Sequence, residues 1–130
     1  MKRAAREWIE KAEADFISAG REYRARKQPN FDAACFFSQQ CIEKYMKARL
    51  VQADRAFPRT HDLSALLDLI LSFEPLWETF RPRLETLTSY AVVFRYPGES
   101  ATREMAKQAL ADAKAIRRQI RRAFNLPETS

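Results

Sequence analysis

Only two glycines stand among the 130 residues. Sheets need glycine at their many tight turns and helical bundles need few, so this shortage already favours helices. Cysteine is as scarce, with Cys35 and Cys41 alone. If both lie on one helix, they point about 120° of arc apart and do not bridge easily. They read as small apolar residues in a reducing cytoplasm. A single histidine, His61, with two thiols at that spacing makes no zinc set, and two glycines can hardly form a phosphate-cradling loop. No apolar run approaches the roughly 18 residues of a membrane span. The start Met1-Lys2-Arg3 runs straight into alternating charged and apolar residues, unlike a signal peptide. The expectation is a cytoplasmic protein with no metal, no cofactor and no membrane contact.

What is present is ordinary globular material, with 46% hydrophobic residues and a net charge of +6. The length fits one domain over residues 1–130, with residues 126–130 read as a frayed tail. A domain of this size buries roughly two-thirds of the surface of its unfolded chain, so it folds without staples. The positive charge suits polyanions or an acidic protein face, and equally a solvated surface.

Hydrophobic spacing predicts helices throughout. From about Arg3 to Lys27, the residues Ala5, Trp8, Ile9, Ala12, Phe16, Ala19 and Tyr23 form one stripe. Asn30 can cap a second helix, Phe31 to about Ala53. That helix carries two apolar rows, one through Ala34, Phe37, Cys41, Tyr45 and Ala48, the other through Phe31, Cys35, Ile42, Met46 and Leu50. It must bury more than one face, as the central helix of the domain or as one shared with a second subunit. After a loop at residues 55–59, Thr60 or Asp62 caps a third helix with Leu63, Leu66, Leu67, Ile70 and Leu71 inward. Pro75 opens a fourth helical stretch that should break near Arg81 because of Pro82, and continue through Leu84, Leu87, Tyr90, Ala91 and Phe94. Ser100 caps a last helix to Phe124, with Arg117, Arg118, Arg121 and Arg122 near its C-terminus. The predicted fold is all-α, an up-and-down bundle of four or five helices.

The block from Phe31 to Ala48, with Gln39-Gln40, Glu43-Lys44 and Lys47-Ala48 within it, resembles the signature helix of HEPN domain proteins. Trp8, Ala12 and Asp15, then His61-Asp62-Leu63, then Tyr90 and Arg95-Tyr96-Pro97 extend the likeness in the family's order. The resemblance implies a helical homodimer that binds a nucleotide or RNA phosphate. It also implies pairing with a small nucleotidyltransferase of the MNT type, in a toxin–antitoxin-like system. Many relatives are ribonucleases in which an arginine is followed, after four to six residues, by histidine. Here Arg95 matches the arginine, but Ser100, Ala101 and Thr102 fill the histidine positions. Serine and threonine do not titrate near neutrality, and an arginine can hold phosphate without exchanging its proton. The reading is therefore a non-catalytic binding module. A metal-independent ribonuclease with an incomplete motif is its rival.

The candidate ligand residues are Arg95, Tyr96, Lys44, Gln40, Lys47 and Asp15. Arg95 can hold phosphate through its planar fork and Tyr96 can stack on a base, or Arg95 can simply close a helix end. Gln40 and Lys47 belong to a polar strip with Gln39, Glu43 and Lys44, either facing a ligand or bonded within the structure. Asp15 lies on the apolar side of the first helix and needs a partner such as Lys44 or Arg95. His61 reads as a capping or turn residue. Phe31, Phe37, Cys41 and Tyr45 mark the helix as core or dimer face. The arginines from Arg117 to Arg122 read as a solvated face.

Overall fold

The computed structural model describes residues 1–129, and for Arg95 the backbone alone. Five α-helices follow one another: α1 (Arg3–Arg24), α2 (Phe31–Gln52), α3 (Leu63–Ile70), α4 (Arg81–Ser89) and α5 (Arg103–Ala123). Two short 3-10 turns, Pro75–Phe80 and Val93–Arg95, precede and follow α4, and no strand occurs among the described residues.

α2 is the centre of the bundle, packed against α1, α3, α4 and α5. Both of its apolar rows are used within the chain. Ala34, Cys35, Cys41, Ile42, Tyr45, Met46, Ala48 and Leu50 are buried, while Phe31 and Phe37 at its N-terminal end are half-buried. Cys41 and Tyr45 are thus core residues, while the aromatic end of the helix reaches the surface. The thiols of Cys35 and Cys41 are free and buried.

The helix ends follow local chemistry. The Asn30 side chain accepts the Ala33 N–H, and Asp62 accepts those of Ser64 and Ala65. Pro82 lies in the first turn of α4, where its missing N–H costs nothing, so the expected break becomes the junction between the 3-10 turn and α4. Three boundaries differ from expectation. α4 ends at Ser89 instead of continuing through Phe94, and Val93–Arg95 forms a separate 3-10 turn. α1 stops at Arg24, three residues before Lys27, because Ala25 is extended ahead of Gln28, which takes φ +49°, and Pro29. The cap of α5 is Thr102, whose hydroxyl accepts the Met105 N–H, and Ser100 lies outside the helix.

The last segment lies back along α5. Leu126 packs against the core, Arg117 Nη1 donates to the Glu128 carbonyl at 3.2 Å, Arg121 donates to the Pro127 carbonyl, and Arg122 pairs with the Glu128 carboxylate at 2.7 Å.

Candidate functional site

Of the side chains predicted as ligand-facing, Gln40 and Lys47 belong to one internal polar cluster, and Lys44 and Asp15 pair beside a second. In the first, Glu43 has a side chain only 5% exposed and is ringed by donors. Gln39 Nε2 reaches its Oε1 at 3.0 Å, Lys47 Nζ reaches Oε2 at 2.9 Å, and His61 Nδ1 reaches Oε1 at 2.8 Å. Gln40 bonds Gln39 at 2.7 Å and completes the strip. Lys47 Nζ also lies 5.5 Å from the Trp8 ring centre and 5.8 Å from that of Phe57, a desolvated seat for an ammonium. Burial alone pushes the Glu43 carboxyl up. The bonds from Gln39, His61 and Lys47 outweigh it and hold the group below the ordinary carboxylate value.

His61 is more than a turn residue. Gln39 Nε2 donates to its carbonyl at 3.0 Å, and the carboxylate of Glu43 fixes its ring. An ionised carboxylate only accepts, so Nδ1 carries the proton shared with Glu43, on a ring whose side chain is 59% exposed. Asp62 does the capping.

The second cluster joins α1, α2 and α5. Arg117 is 3% exposed and grips Glu13 bidentately, Nε and Nη2 each at 2.7 Å. Tyr45 Oη donates to the same carboxylate at 2.5 Å and accepts from Arg121 Nη1 at 3.0 Å. Here too burial raises the Glu13 carboxyl, and the bonds from Arg117 and Tyr45 bring it below its usual value. The expected solvated face is therefore corrected for Arg117: an arginine can be buried when its fork is matched by a carboxylate. Nearby, Asp15 takes Lys44 as its partner at 2.5 Å.

An aromatic-lined surface cleft with room for a ligand lies elsewhere, at the N-terminal end of α2. It is a cleft of about 400 Å³ lined by Asn30, Asp32, Ala33, Phe36, Phe37, Tyr90 and Phe94. Phe36 and Phe37 meet edge to face with centres 5.6 Å apart, and Tyr90 and Phe94 stack at 5.5 Å. Asp32 is pinned by accepting the Ala101 N–H at 2.6 Å, which ties the loop before α5 to this end of α2. Beside it, the Arg103 guanidinium lies 4.8 Å over the Phe31 ring.

The 3-10 turn that supplies Phe94 ends at Arg95, whose side chain lies outside the described residues, and Tyr96 follows at 67% exposure. Gln40, Lys44, Lys47 and Asp15 do not line this cleft; each is engaged in the internal clusters. Sequence reasoning had passed over Asp32, Phe36 and Arg103. Nothing local joins Asp32 to Ala101, which lies 69 positions later. Among the described residues, no group of three or more His, Cys, Asp or Glu side chains is arranged to hold a metal ion, and no helix is long and apolar enough to cross a membrane.

A family model described as the HEPN domain matches residues 5–123. Comparisons with curated proteins and with solved structures give no match.

Proposed function

The chain belongs to the HEPN domain family, and on that premise we propose that it is a homodimeric binding module for a nucleotide or an RNA phosphate. It would act with a minimal nucleotidyltransferase of the MNT type in a toxin–antitoxin-like pair. One observation carries the ligand half: an open aromatic cleft of about 400 Å³ adjoins the turn that ends in Arg95, and Arg103 lies over the ring of Phe31, the residue before the cleft's Asp32. Small-ligand sites are commonly concave and apolar with a few polar groups, and guanidinium groups favour phosphate. The +6 net charge adds a long-range pull on anions.

The role is binding and not cleavage by the family's Arg…His route. Arg95 has no histidine at positions 100–102, and the chain's single imidazole, His61, is bonded to Glu43. The test is a thermal melt with ATP and related nucleotides. At 100-fold excess over Kd, binding stabilises by about 2.7 kcal/mol and raises Tm by several degrees. Arg95→Ala should remove the shift; identical shifts in both proteins would exclude that site. Copurification with the product of a neighbouring nucleotidyltransferase reading frame tests the partner, and light scattering tests the dimer.

His61 keeps the ribonuclease rival in view, because it is the chain's single imidazole and its side chain is 59% exposed. RNA cleavage that Arg95→Ala abolishes would favour that rival over a pure binding role.

A further inference from the structure

We propose that the aromatic cleft is a nucleobase pocket selective for guanine, with Asp32 and Asn30 reading the base edge and Arg103 taking the phosphate side. This rests on the nucleotide-binding reading above and adds to it the identity of the base and the residues that choose it.

The wall is the first reason. Phe36, Phe37, Tyr90 and Phe94 line one cleft, and the Tyr90–Phe94 pair is close to parallel at 22°. Flat aromatic side chains are the usual platform for a flat base, whichever base it is. A volume of about 400 Å³ suits a nucleoside and is small for a folded partner segment.

The second reason is the polar pair at the mouth. Asn30 spends its Oδ1 on the Ala33 N–H at 2.9 Å, which leaves its amide NH₂ as the outward donor. Asp32 accepts the Ala101 N–H through Oδ1 at 2.6 Å, and the carboxylate retains further acceptor capacity. One donor and a carboxylate therefore line the same cleft. Guanine presents O6 as an acceptor beside N1–H and N2–H as two adjacent donors. It alone among the four common bases offers a carboxylate two hydrogens from one edge while accepting from a neighbouring amide. Uracil and adenine each offer the carboxylate a single position on that edge.

Charge completes the fit. Asp32 by itself would repel a nucleotide, but Arg103 lies over Phe31, the neighbour of Asp32, and the loop before α5 is bonded to Asp32. A cation thus stands over the residue next to Asp32, where it offsets the carboxylate and can meet a phosphate.

The test uses isothermal titration of the full chain with GMP, AMP, CMP and UMP, and with guanosine and ribose 5-phosphate. GMP should bind about tenfold tighter than UMP, the lower range of what a good bidentate pair discriminates. Asp32→Asn keeps an oxygen for the Ala101 N–H, so the fold is preserved. It should lose the preference for GMP while retaining weak binding to all four nucleotides. Phe37→Ala should weaken all four, and Arg103→Gln should weaken the nucleotides while sparing guanosine.

Equal affinities for the four bases, or an unchanged preference in Asp32→Asn, would overturn the guanine assignment and leave nucleotide binding standing. Absence of binding by any nucleotide would remove the parent reading itself. If Phe37→Ala turned a dimer into a monomer and left nucleotide affinity untouched, the cleft would belong to a second copy of the chain, and the base pocket would be refuted.

Discussion

A glutamate with 5% of its side chain exposed is tolerable only because every approach to it is a donor. Removing it in Glu43→Ala leaves the Lys47 ammonium buried without its counterion, so stability should fall by about 3–5 kcal/mol in urea denaturation. His61→Ala removes one bond to an exposed ring and should cost about 1 kcal/mol. Both Glu13 and Glu43 titrate below the ordinary carboxylate value of 4.5 in the folded chain. A depressed folded-state value means stability that is complete above pH 4.5 and lost as pH falls through the folded-state value. The urea midpoint should therefore decline on acidification below that point, and Glu13→Gln should flatten the decline while lowering stability at neutral pH. Burial, with Asp32 nearby, pushes the Cys35 thiol up to about 12, and burial pushes Cys41 up as well. Thiol labelling at pH 8 should be slow in native protein and rapid once it is unfolded, because only the thiolate reacts.

At the level of elements, the caps are separable contributions. Asp62→Ala should cost about 1 kcal/mol and Asp62→Asn much less, since the amide oxygen still accepts; thermal melts distinguish the two. These caps also show what could be read from the sequence. Asn30 and Asp62 precede apolar periodic runs, and Pro82 announces a junction, so the helices and the two buried rows of α2 were legible from local pattern, though not whether those rows meet the same chain or a second one. Thr102 was harder, because Ser100 offers the same hydroxyl two positions earlier and only packing selects between them. The clusters were less legible still. Glu13 and Arg117 are 104 positions apart, and on α1 Glu13 looks like one more surface carboxylate among several. The polar strip on α2 was visible, but its engagement with His61 depended on where α3 would dock. The cleft depended on the 3-10 turn bringing Phe94 back to Phe36 and Phe37, a long-range event that no single segment announces.

For the whole molecule, the Glu13–Arg117 pair is a partly buried ionic link between the first and last helices. Arg117→Ala should cost about 3–5 kcal/mol, whereas the double change Glu13→Leu with Arg117→Met should recover most of that loss, because an apolar pair of similar volume removes both charges together. Guanidinium unfolding of the two variants beside the native chain checks it. The same link orders events during synthesis. Glu13 and Tyr45 leave the ribosome long before Arg117 and Arg121 are translated, so the nascent chain carries a carboxylate and a phenol with no counterpart until α5 emerges. Final assembly must wait until α5 has left the ribosome, and fragments ended before residue 103 should collect with chaperones instead of accumulating as native protein.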